Sequence, residues 1–192
     1  DLPTKSLPEL KKDKNIKIIP LPNWWIQITT PNVSAAPTDN LDFRRAVQAV
    51  LNMDDIMDAA TDGNYRLNVG FQYPNQPSYT DAGKETYNLH NAKLAKEYLA
   101  KSGYKGEPVV LLTNKDYPAM YNSALVMAEQ MKSIGIKAEL KVLDWPSSIQ
   151  MYQKTTTGWN FFFTGYGTQP ALGALATGVT GNSRWTDALP QW

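Results

Sequence analysis

From Asp39 onward, apolar side chains recur at Phe43, Ala46, Val47, Val50 and Leu51, while Arg44, Arg45, Gln48 and Asn52 fall off that stripe. The spacing of three and four predicts an amphipathic helix, and Asp39 or Asn40 offers it an N-cap oxygen. The same period predicts a helix over 91–102, with Ala92, Ala95, Tyr98 and Leu99 inward and Gly103 as its stop. A third, over 117–134, turns Tyr121, Ala124, Leu125, Ala128 and Met131 to one side and ends at Gly135. Between these two lies PVVLLT, 108–113, a continuous apolar run that reads as a strand covered on both faces. Ile136, Ala138, Leu140 and Val142 then alternate with Lys137, Glu139 and Lys141, the period of a half-buried strand. A helix over 144–154 carries Pro146 in its first turn, where a missing amide proton matters little. The strand WNFFFT, 159–164, follows. Strand, helix, strand, helix, strand from 108 to 164 predicts an α/β fold, a parallel or mixed sheet flanked by helices.

The flanks are less regular. Ile16, Ile18 and Ile19 suggest a short strand broken by Pro20 and Pro22, and Trp24 to Thr29 a second one. Residues 61–90 hold no sustained period; loops of this length tend to be functional or disordered, and four tyrosines with Phe71 argue for order.

Composition narrows the classes of function. Of 192 residues, 19 are basic and 18 acidic, so no charge excess points to nucleic acid. The absence of cysteine removes disulfides, thiolate metal sites and cysteine nucleophiles. No stretch has the length of a membrane-spanning helix. Asp1 opens on polar, proline-rich sequence without a signal-peptide pattern, and Trp192 follows directly on a loop-like stretch, as in an excised piece or mature fragment. The single histidine, His90, stands at a helix start, where capping or exposure is the default, so triad and zinc chemistry lack their usual residue. Asp54, Asp55 and Asp58 cluster near a helix without apolar neighbours that would raise a carboxyl pKa. No P-loop, G-x-G-x-x-G, G-x-S-x-G or calcium-loop spacing is present. An enzyme is not expected, and neither is a cofactor.

Four stretches in order resemble one family: DNLDFRRAVQAVLNMDDIM (39–57), HNAKLAKEYLAKSGYKG (90–106), the strand–helix–strand of 108–145, and WNFFFTGYG (159–167). They are similar to the solute-binding proteins of bacterial ABC importers, in the group that carries dipeptides, oligopeptides and nickel. The family's signals appear as Arg45-Ala46-Val47 with Ala49-Val50-Leu51-Asn52, as Ala92-Lys93 with Leu99 and Ser102-Gly103-Tyr104, and as Ile134-Gly135-Ile136. The resemblance implies one lobe of a two-lobed periplasmic-binding-protein-like fold. Residues 1–40 would be a crossover segment and 41–192 the C-terminal lobe, incomplete at its end. It also implies a monomer, periplasmic or lipid-anchored at the cell surface, that passes a solute to membrane permease subunits. Where the family often has an asparagine at the end of the crossover strand, this sequence offers Thr30.

Ligands gather at the carboxyl ends of strands in such sheets. That places the expected site at GYGTQP: Gly167 allows close backbone approach, Tyr166 supplies a ring and hydroxyl, and Thr168 and Gln169 orient an amide. A tight turn closing a core strand would use the same residues. The resemblance puts an aromatic at Tyr166 and usually an acidic partner for a peptide's amino terminus nearby. That acidic residue is missing here, which leaves sugars and metal chelates open beside peptides. The resemblance also puts the long loop, with Phe71 and Tyr73, on the cleft wall, where the residues alone read as loop anchors; one of the pair Trp24–Trp25, taken here as Trp24, could join them, though core is the plainer reading for either tryptophan alone. Arg44 and Arg45 read as a solvated helix face. The rivals are an enzyme with an unfamiliar carboxylate site and a protein-interaction module with exposed aromatics.

Overall fold

A computed structural model describes residues 6–19, 25–70, 72–74, 76–77 and 79–167. Four strands form one sheet among them: β1 (Trp25–Pro31), β2 (Val109–Asn114), β3 (Ala138–Leu143) and β4 (Phe161–Gly167), in the order β1-β4-β2-β3. β2 runs parallel to β3 and β4, and β1 antiparallel to β4, so the sheet is mixed. The parallel crossovers are α5 (Pro118–Ser133) and α6 (Trp145–Lys154). α2 (Leu41–Val50), α3 (Met53–Thr61) and α4 (Ala92–Ser102) complete the α5 side, α2 packing on α4 and α3 on α5. A single helical turn, α1 (Leu7–Leu10), precedes them. The α/β class read from the sequence is the one observed.

The three phenylalanines serve two cores. Phe161 and Phe163 enter the large one beneath α5, with Leu111, Met127 and Met131. Phe162 faces the other way, with Leu112 and Trp159 under α6. All three are buried, and each such ring contributes roughly 1.5–3 kcal/mol of transfer free energy. Helix ends follow local chemistry: Asn40, Asn52, Asn91 and Asp144 accept first-turn amides as N-caps, and Gly103 ends α4 at φ 71°.

Several expectations change. α5 buries Met120, Ser123, Ala124, Met127, Ala128 and Met131, and leaves Leu125 41% exposed. The helix is rotated from the leucine stripe because small residues bring it close to the sheet, where Gln27 of β1 donates to Ser123 Oγ. Tyr121 instead takes the Lys115 ammonium over its ring at 5.1 Å. In α4, Ala92 is exposed and Leu94 packs on the core. Residues 16–19 form no strand, and Ile16 and Ile19 are 42% and 67% exposed.

Arg44 is buried rather than solvated, because its guanidinium closes the turn before its own helix, donating to Thr38 O (2.8 Å) and Asp39 O (3.0 Å). Arg45 does face solvent, near Asp42. This turn belongs to a polar knot at the amino-terminal edge of β2 and β4. Asn160 exchanges bonds with Val110, donating its amide (2.8 Å) and accepting on Oδ1 (2.9 Å). Its Nδ2 donates to Ala36 O (3.0 Å) and Thr38 Oγ1 (3.1 Å), and its carbonyl accepts from Asn32 N (2.7 Å). Asn32 follows β1 directly, two residues beyond Thr30, and its Nδ2 donates to Thr156 O and Trp159 O.

Candidate functional site

The opposite edge is built differently. β2, β3 and β4 all end there, and antiparallel β1 begins there, with Trp25 facing Gly167 and Ile26 facing Tyr166. Pleating sorts these residues onto two faces. Trp25 and Gln27 share the α5 face with Gly167 and Gly165; Ile26 and Tyr166 share the α6 face with Phe162.

On the α5 face, Trp25 is 49% exposed, which is not the core position expected of it. Its indole lies across Gly165: a Cβ placed there would sit 2.4 Å from three ring atoms. The backbone of Trp25 is held from the long loop, because the Tyr73 hydroxyl donates to its carbonyl at 3.1 Å. Tyr73 itself is only 6% exposed, and burial raises its pKa above the usual phenol value, against the opposing charge of Arg66. Gln27 Nε2 is committed to Ser123 Oγ and Ala119 O.

On the α6 face, rings form a connected row. Tyr117 meets Trp145 edge-on at 5.2 Å; Phe162 is stacked between Trp145 (6.0 Å) and Tyr152 (4.6 Å). Tyr166 is half-buried and hydrogen-bonded with Tyr152, and burial raises its hydroxyl's pKa. The loops at this rim are stitched. Buried Asn114 accepts the Tyr117 amide (2.9 Å), and Asp116 accepts the Trp145 amide (2.6 Å). Asp144 accepts from Ser147 N and Oγ, each at 2.8 Å, and the backbone bond from Ser147 holds its carboxyl below the usual range.

The described residues of the long loop, 62–90, are irregular apart from one 3-10 turn, Lys84–Thr86, yet pinned. Asp54 accepts from Tyr65 Oη (3.0 Å) and Asn88 Nδ2 (2.9 Å), so the acidic cluster fastens the loop to α3. Desolvation and that bond push Tyr65 up to about 12; burial does the same for Tyr87. Among the described residues no group of His, Asp and Glu could hold a metal ion, and no helix is long and apolar enough to cross a membrane. His90 is exposed just ahead of the Asn91 cap.

Of the expected site residues, Tyr166, Gly167 and Tyr73 are described: the first two stand at the carboxyl edge, and Tyr73 lies beneath it. Trp24, Phe71, Thr168 and Gln169 lie outside the described residues. The same edge also holds Trp25, weighed above with Trp24, and Gln27, Tyr117 and Trp145, which the sequence reading did not single out. The strand parity of Trp25 relative to Gln27 carried part of the signal, but only the register with β4 fixes the face.

The family profile of Bacterial extracellular solute-binding proteins, family 5 Middle, matches residues 1–179. The chain is 26% identical over 171 residues to a probable peptide ABC transporter periplasmic-binding protein, y4tO, of Sinorhizobium fredii, covering 84% of this chain and 32% of that one. It is 28% identical over 172 residues to the oligopeptide-binding protein OppA of Bacillus subtilis, covering 82% and 31%. Among solved structures, the ABC transporter substrate-binding protein CtaP of Listeria monocytogenes superposes with a TM-score of 0.80 at 19% identity, over 96% of this chain and 38% of that one. The chain thus spans about a third of the length of these relatives.

Proposed function

Since the chain belongs to the bacterial extracellular solute-binding proteins, family 5, we propose that it is one lobe of an ABC-importer binding protein that captures a peptide. The whole protein would close on its ligand between two lobes and deliver it to membrane permease subunits. Differential contacts in the closed state would drive that hinge motion. The reading takes the protein as a monomer, periplasmic or lipid-anchored at the cell surface, acting without a cofactor and without a covalent step. The relatives' names, peptide and oligopeptide binding, support peptides as the solute class.

One observation of geometry carries the proposal furthest: the carboxyl edge presents half-exposed rings beside glycine backbone, while its loops are already braced by hydrogen bonds. Such an edge has aromatic walls held in place before a guest arrives, which reduces the ordering that binding would otherwise require. Thr168, Gln169, Trp24 and Phe71 belong to the same proposed site.

The test is calorimetry on the full-length protein, stripped of ligand by unfolding and refolding, with tripeptides, a disaccharide and a nickel–histidine chelate. Peptide binding in the micromolar range or tighter supports the reading; binding of sugar or chelate alone overturns the solute class. The isolated 192-residue lobe should bind peptide at least a hundredfold more weakly. Equal affinity would overturn capture between lobes.

A further inference from the structure

Trp25 combines three properties that no other described tryptophan shares. Trp159 is 2% exposed and Trp145 is wedged between Tyr117 and Phe162, but Trp25 stands 49% open at the carboxyl edge. Its inner face rests on the bare backbone of Gly165, where a Cβ would come within 2.4 Å of Cε2, Cζ2 and Nε1. Its carbonyl is tethered by Tyr73, a buried residue of the loop. A half-exposed indole offers a broad apolar face to a partner, and a ring backed by backbone has few ways to turn aside. Gln27, the next side chain on the same face, has its amide nitrogen fixed to α5, so the platform's inner border is polar and immobile.

We infer that the Trp25 indole is the platform on which one large apolar or planar side chain of the bound peptide stacks, with Gly165 as its seat and Tyr73 as its positioning residue. The inference rests on the peptide reading above and adds the specificity it would have. Stacking on a fixed ring favours an aromatic or leucine side chain over alanine at one ligand position. It asks nothing of the other positions.

The experiment uses full-length protein and four peptides: trialanine and the three variants with phenylalanine at each position in turn, titrated into wild type, Trp25→Ala, Trp25→Phe and Gly165→Ala. Wild type should prefer phenylalanine at one position, and Trp25→Ala should weaken that peptide by on the order of tenfold, the size of one lost aromatic contact. Trialanine should change less than about twofold on the same grounds, since it offers no ring to stack. Gly165→Ala should copy Trp25→Ala, because the new methyl takes the ring's seat. Trp25→Phe should restore most of the preference, and it carries the test if circular dichroism shows Trp25→Ala misfolded. Uniform weakening of all four peptides, or affinities unchanged in every variant, overturns the inference and leaves the peptide reading intact. A wild type that binds none of the four overturns the peptide reading itself.

Discussion

The two edges of the sheet have opposite characters. At the amino-terminal edge Asn160 uses its amide, carbonyl and both side-chain polar atoms within the protein, and Asn32, Thr38 and Arg44 close around it. At the carboxyl edge the loops after β2 and β3 are also hydrogen-bonded, but Trp25 and Tyr117 stand 49% and 42% exposed. Polar groups that are satisfied and dry act as structural fasteners. Rings that are braced and wet have contact area still to use. The contrast separates an edge that holds the sheet together from the edge proposed to meet a ligand.

The comparison can be broken most sharply at the knot. Asn160→Ala strands the Val110 amide and leaves the Ala36 carbonyl without its partner, and should destabilise the protein by about 3 kcal/mol, since each buried group left unpaired costs about 1–3 kcal/mol. Urea unfolding measures it, and a loss below about 1 kcal/mol would mean the knot is not a fastener. Tyr73→Phe removes one hydrogen bond while keeping the ring, for a loss of about 1 kcal/mol, and should loosen Trp25, read as increased acrylamide quenching. Trp25→Ala should cost no more than about 1 kcal/mol, since only the inner face of the ring is packed; a fall of about 3 kcal/mol or more, as for a buried aromatic, would move the residue from rim to core. The weakest effect is set by pH. Tyr65 and Tyr87 are held protonated, with pKa values pushed up to about 12 from an ordinary 10.0. Their contribution is whole below about pH 10 and lost as pH climbs toward about 12. Hydrogen exchange under alkaline conditions should therefore show the long loop opening before the knot does.

Much of the fold was legible because its signals are local. Glycine after a helical stripe marked the end of α4, and Asp144 followed by Pro146 marked the start of α6, each by backbone chemistry a few residues long. The run of three phenylalanines marked β4. What stayed hidden depends on partners distant in sequence. Leu125 looked like core and Met120 did not, because hydrophobicity alone does not say how near a helix lies to its sheet. Arg44 looked solvated because its acceptors are main-chain carbonyls, which leave no trace in side-chain pattern. The face that Trp25 takes depends on register with β4, which only a folded sheet supplies. The order of elements was enough to name the edge proposed for the site, whereas the neighbours of each residue there depend on pairing.

The direction of β1 has a mechanical meaning. It pairs with β4 along seven positions, from Trp25 opposite Gly167 to Pro31 opposite Phe161, and its leading end lies at the carboxyl rim. A tug on the polypeptide from that rim pulls along the strand, so every rung of the ladder resists at once instead of unzipping in turn.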